Sequence, residues 1–168
     1  MSPRELFERY AAFVWRTLKY QAVAERDLDD VSQEVFLVVF RKLAELDDRG
    51  PIRPWIYGVC LRVASDYRRR ASHRREVLVP EAPDDAIEPA AATELERSDA
   101  REQLTAMIQR LDEDKRSVLV LHEIENLPMT EVALVLQCPL KTAYSRLAAA
   151  RKQMLVMLSK SKLSEKKP

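Results

Sequence analysis

Glycine and cysteine are scarce in this chain, and long apolar runs are missing. Only two glycines occur among 168 residues, Gly50 and Gly58. Runs of alternating β-branched residues do not stand out either, so a helix-rich fold is expected. Cys60 and Cys138 lie far apart inside helical patterns. With His73 and His122 they form no zinc-ligand spacing, and they are read as reduced thiols that pack as small apolar groups. No stretch approaches the roughly 18 apolar residues of a membrane span. The charged opening MSPRELFERY has no signal-peptide pattern. A cytoplasmic setting without membrane insertion is expected. Gly-rich phosphate loops and His–carboxylate clusters are also missing, so no catalytic constellation, metal site or cofactor site is read here.

What is present is charge, and it is segregated. Hydrophobic residues make up 46% and charged residues 33%, which suits a folded, soluble protein. The net charge of +1 hides three blocks. Arg62 to Glu76 holds six arginines against Asp66 and Glu76. Pro80 to Glu102 holds eight acids against Arg97 and Arg101, and Lys141 to the end holds eight basic residues against Glu165. Two basic blocks around an acidic one point to a polyanion gripped in two places.

Helical spacing organises both ends of the chain. In LFERYAAFVWRTL, Leu6, Tyr10, Phe13 and Trp15/Leu18 share a face. DLDDVSQEVFLVVFRKLAEL follows, with Asp29 or Asp30 near its start, where carboxylates favour the helix dipole. Gly50 and Pro51 then break the chain, and Pro54 suits a first helical turn. From Val77 to about Thr93, three prolines with alanines and acids leave almost nothing to bury, which predicts a linker between two small domains. Beyond it, EDKRSVLVLHEI and MTEVALVLQ read as helices. A Gln137-Cys138-Pro139 break then leads to the basic helix PLKTAYSRLAAARKQMLVML, and the pair has the form of a helix-turn-helix. SKSKLSEKKP is expected to be frayed basic coil.

Two surfaces carry function. On the second helix Leu28, Val31, Val35, Val38 and Val39 form a stripe that Phe36, Phe40 and Leu43 widen. Asp30, Gln33, Glu34, Leu37 and Arg41 occupy the other side. Such a strip fits a partner protein bringing basic and apolar groups, or else the solvated edge of a central helix. In RPWIYGVCLRVASDYRRRASHRR, Ile56, Val59, Cys60, Val63 and Tyr67 point inward by phase. Trp55, Gly58, Arg62, Asp66 and Arg69 point outward. An aromatic beside a cationic track is what unpaired bases need, since stacking holds each by roughly 1–3 kcal/mol. Arg68, Arg69, Arg70, Arg74 and Arg75 supply the track, with strong salt dependence. Trp55 reads equally as a hydrophobic plug at the helix start.

These segments, in this order, resemble the extracytoplasmic-function (ECF) sigma factors of bacterial RNA polymerase. The likeness covers nearly the whole chain. It implies an all-α fold with a region-two bundle over residues 1–76, a flexible acidic linker over 77–98, a region-four helix-turn-helix over 99–160 and a basic tail over 161–168. It implies that Asp29, Asp30, Gln33, Glu34 and Phe36, beside Leu37 and Arg41, bind core RNA polymerase. Trp55, Arg62, Asp66, Tyr67, Arg68, Arg69 and Arg70 would hold the melted non-template strand at the minus-ten element. Lys141, Thr142, Tyr144, Ser145, Arg146 and Arg151, on a recognition helix from about Pro139 to Lys152, would bind the minus-thirty-five duplex. An anti-sigma factor is the implied regulator, and no enzymatic activity is implied. The chain departs from the family pattern at Arg62, where Asn is frequent, and at Tyr144, Ala148 and Ala149. Pro128 replaces a common capping Ser or Thr, and is expected in the first helical turn. Two rivals stand beside this resemblance. A duplex-binding regulator leaves the Asp30–Phe36 surface and Trp55 without a task, and a nucleic-acid enzyme lacks its chemistry.

Overall fold

The computed structural model describes residues 2–43, 51–77 and 92–165. Every regular element among them is helical. Helix α1 (Pro3–Tyr20) begins because Ser2 and Glu5 cap each other: the Glu5 N–H donates to Ser2 Oγ at 3.2 Å, and the Ser2 N–H to Glu5 Oε2 at 2.8 Å. Those bonds hold the Glu5 carboxyl below its usual pKa, the Ser2 backbone bond contributing most. The helix ends at Gln21, where Ala22 takes a left-handed φ of 62° in place of a glycine. Helix α2 (Leu28–Lys42) carries Asp29 and Asp30 in its first turn and Arg41 and Lys42 in its last, both suited to the helix dipole. Helix α3 (Ile52–Val77) follows, with Pro54 in its first turn.

The three helices close on one another through Leu6, Phe13, Val14, Leu18, Leu28, Val35, Val39, Ile56 and Cys60, all buried. Burial pushes the Cys60 thiol's pKa up, which removes its nucleophilic form near neutrality. The tyrosine expected inward, Tyr67, is buried and donates from its hydroxyl to Asp27 Oδ2 at 2.6 Å.

The second half contains α4 (Ala92–Gln109), α5 (Glu113–Leu119), a π turn over Val120–Ile124, α6 (Met129–Val135) and α7 (Leu140–Glu165). Asp112 caps α5 by accepting from the Lys115 N–H at 3.0 Å and from Lys115 Nζ at 2.6 Å. Those Lys115 bonds, the side-chain one first, lower the Asp112 pKa. Ile108, Val118, Leu121, Val132, Ala143, Leu147 and Ala150 make its core. Between α6 and α7, Gln137 adopts a φ of 51° and the Cys138 N–H reaches back to the Ala133 carbonyl at 3.0 Å. That bonding pattern ends α6 and turns the chain into α7.

Three expectations shift. Helix α4 already starts at Ala92, so residues 92–98 of the expected linker are helical; residues 78–91 lie outside the described ones. Helix α7 runs to Glu165, so residues 161–165 continue it rather than fraying; no proline or glycine interrupts the chain between Leu140 and Glu165. Pro128 is the N-cap of α6 rather than part of its first turn. Its carbonyl accepts from the Glu131 and Val132 N–H groups at 2.9 and 3.0 Å, with no side-chain cap. Among the described residues no helix is long and apolar enough to cross a membrane.

The halves also touch. Gln21, fully buried at the end of α1, donates from Nε2 to the Tyr57 hydroxyl at 3.3 Å and accepts on Oε1 from Arg116 Nε at 3.0 Å. Buried apolar residues of both halves form one cluster.

Candidate partner and nucleic-acid interfaces

On α2 the sequence phase is largely realised. Asp29, Asp30, Gln33, Leu37 and Arg41 are exposed, Leu37 at 55%, and Glu34 is half-exposed. An open leucine thus stands among four exposed polar side chains. Phe36 is a correction. It is 3% exposed, because Phe7 of α1 covers it at a ring separation of 4.8 Å and Phe40 stacks behind it at 5.8 Å. Phe36 therefore shapes the strip from beneath, and the aromatic at the surface there is Phe7, 46% exposed. Phe7 was invisible to a reading of α2 alone, since it comes from another helix.

On α3 the outward face holds Arg62, Asp66 and Arg69, all exposed, with Trp55 and Gly58 half-buried. Trp55 packs one side against the core and turns the other to a cleft of ≈ 450 Å³, shared with Gly58, Arg62 and Lys42. Trp55 is thus partly a core residue and partly the lining of that cleft. Tyr67 lies beneath that face, inward as its helical phase predicts: its hydroxyl donates to Asp27 and accepts from the Ala24 N–H at 3.4 Å, so it supports α3 from within. Burial first, then the bond to Asp27, raises its pKa.

The arginine track is present, but each of its first three members has an acidic neighbour. Arg68 donates to Glu113 Oε2 at 2.6 Å and to the Gln21 carbonyl at 2.5 Å. Arg69 pairs with Asp66, and Arg70 with Glu34 at 2.9 Å. The Arg69 and Arg70 pairs are exposed and worth at most about 1 kcal/mol each, so phosphates can displace them.

Along α7, Lys141, Tyr144, Ser145, Ala148 and Ala149 are exposed, opposite the buried Ala143, Leu147 and Ala150. Thr142 is half-buried at the edge of that face. Arg146 and Arg151 stand on its two shoulders, held by Asp114 at 2.6 Å and by Glu123 respectively. Lys152, exposed and in phase with Lys141, Ser145 and Ala148, belongs to the same face and was missed as a contact. Counting by three and four from Lys141 finds it.

The sequence matches two known families in order: Sigma-70 region 2 over residues 6–74 and Sigma-70, region 4 over residues 101–154. It is 30% identical over 137 residues to the RNA polymerase sigma-H factor of Pseudomonas aeruginosa, covering 75% of this chain and 70% of that one. It is 28% identical over 142 residues to the ECF RNA polymerase sigma factor SigC of Mycobacterium tuberculosis, covering 84% and 75%. Among solved structures, CnrH in complex with the cytosolic domain of CnrY superposes with a TM-score of 0.67 at 25% identity, over 94% of this chain and 87% of that one.

Proposed function

The chain belongs to the sigma-70 family and is an ECF-type RNA polymerase sigma factor, and we propose that two of its helices divide the work. The outward strip of α2 docks core RNA polymerase through Asp29, Asp30, Gln33, Glu34, Leu37 and Arg41, with Phe7 and Phe36 forming its apolar border. The outward face of α3 captures the non-template strand as the minus-ten element melts. There a base stacks on Trp55, Arg62 and Asp66 hydrogen-bond base edges, and Arg68, Arg69 and Arg70 follow the phosphates. Tyr67 and Phe36 act only by holding these faces in shape.

The observation that carries this reading is Trp55, half-buried at a cleft beside an exposed guanidinium, with a run of arginines further along the same helix. Duplex binding through phosphates needs only the charge, whereas strand separation needs the aromatic as well. The α7 face grips the minus-thirty-five duplex through Lys141, Thr142, Tyr144, Ser145, Arg146 and Arg151, joined by Lys152. Residues 1–76 and 99–160 are the two working units. The protein acts in the cytoplasm, and its role is recognition and strand opening, with the bond-making left to polymerase. Restraint by an anti-sigma factor is part of this reading; a solved structure of similar fold is the sigma factor RpoE in complex with the anti-sigma factor NepR from Bartonella quintana.

Run-off transcription with purified core polymerase on a randomised promoter library tests the proposal. A defined promoter should emerge only when the chain is added. An unchanged transcript pool, or no retention of the chain by core polymerase, overturns it.

A further inference from the structure

The exposed face of α7 is short of the side chains that read most bases. From Leu140 to Lys152 the sequence has no Asn, Gln, Asp or Glu. That stretch therefore brings no amide for adenine and no carboxylate for cytosine. Its two arginines, the usual readers of guanine, stand on the shoulders of the face. Asp114 holds Arg146 there at 2.6 Å, and Glu123 holds Arg151. What the face presents instead is apolar. Leu140 is 42% exposed and Tyr144 54%, and Ala148 is exposed as well.

These three recur every four residues, so they form one stripe along the helix. Single exposed apolar side chains are ordinary on a protein surface. A stripe bordered by the exposed Lys141 and Lys152 is a different matter, because it lies inside a cationic face. Its position is also specific. Leu140 opens α7 directly after the Gln137 turn, and Tyr144 follows one turn later. The N-terminal residues of the second helix in such a unit are the ones that reach base edges. The C5-methyl of thymine gives the major groove an apolar feature that no other base shows. A methyl packs against leucine, or on the flat of a phenol ring, without stranding a polar group. Cytosine at the same place lacks the methyl and turns its N4 amino group toward carbon, which costs it a hydrogen bond to water.

We propose that Leu140 and Tyr144 are thymine readers, each packing on the C5-methyl of one thymine in the minus-thirty-five element. The short Ala148 side chain lets the helix sit close beside them. This specificity rests on the duplex-binding role of α7. The helical rise sets the spacing of the two bases. One turn advances about 5.4 Å, against about 3.4 Å between base-pair steps, so the thymines stand one or two steps apart. Lys141 and Lys152 meanwhile contact phosphates, which carry affinity and no sequence.

The test uses the chain in complex with core polymerase, on duplexes selected from a promoter library randomised in its upstream element. The selected duplexes should carry thymine at two positions one or two steps apart. Uracil in place of thymine removes only the methyl, and each replacement should weaken closed-complex binding about fourfold. Leu140→Ala and Tyr144→Ala should each lose that penalty at one position and keep it at the other. Alanine suits an exposed helical position, so both variants should fold, and circular dichroism checks it. Tyr144→Phe should keep both penalties. Binding that is indifferent to uracil at every selected thymine overturns the proposal, as does a penalty that persists in both alanine variants. A penalty lost in Tyr144→Phe as fully as in Tyr144→Ala assigns the reading to the hydroxyl and overturns the methyl contact. If Lys141→Ala and Lys152→Ala leave the salt dependence of duplex binding unchanged and no upstream sequence is selected, the duplex role of α7 has failed, and the proposal falls with it.

Discussion

The two faces proposed to meet nucleic acid are built from similar materials and are differently available. The face of α7 is open: Lys141, Tyr144, Ser145 and Lys152 stand in solvent, and the arginines at its shoulders are held aside by Asp114 and Glu123. The face of α3 looks into a cleft whose other wall is α6, and Arg68 is tied to Glu113 of the second half. In the proposed division of work, the open helix meets intact duplex, and the other offers its aromatic to separated bases.

The comparison breaks most sharply at Trp55. Trp55→Ala removes one stacking platform, and strand opening should fall roughly 5- to 150-fold, the equivalent of about 1–3 kcal/mol. Stopped-flow fluorescence of a promoter base reads this, and closed-complex affinity should barely change. Asp30→Ala with Glu34→Ala should weaken core-polymerase binding about tenfold in a competition assay, from the loss of two charges at a docking rim. The helical signal should stay intact, because both side chains are solvated. On α7, Lys141→Ala and Lys152→Ala should each reduce the slope of log affinity against log salt by about 0.9. Duplex titrations at several salt concentrations measure it; slopes equal to wild type would remove those lysines from the phosphate track.

The smallest effect is alkaline. Burial raises the pKa of Tyr57 and Tyr67, and of the Cys60 thiol, above their unfolded values. Groups so raised favour the folded state fully below their unfolded pKa and oppose it above. Thermal stability should therefore decline once pH passes about 8.5, where the unfolded thiol ionises, and more steeply past about 10, where the phenols follow. A melting temperature that stays flat up to pH 11 contradicts this.

Much of this was legible in the sequence. The outward positions Asp30, Gln33, Glu34, Leu37 and Arg41 of α2 follow from spacing alone, as does the inward turn of Ile56, Val59, Cys60 and Val63, whereas those of α7 came with the family resemblance. The failures share one physical cause. Phe36 sits at the border of an apolar stripe, and a ring from α1 decides which way it faces. The polar core of Gln21, Tyr57 and Arg116, with Glu125 on Arg16 and Arg53, joins residues up to 109 positions apart. No helical period encodes such pairs. Nor did composition show that α4 begins inside the acidic stretch, since alanines and glutamates serve a helix as well as a linker.

The central claim is that α3 works on separated strands. It is tested most directly by giving the Trp55→Ala protein, in complex with core polymerase, two versions of one promoter: an intact duplex, and the same sequence with the minus-ten region pre-melted by mismatches. Transcription should be strongly reduced on the duplex and restored to near wild-type levels on the pre-melted template, where opening has already been done. An equal loss on both templates would mean that Trp55 serves some other step, and the account of α3 as the strand-capturing helix would fail.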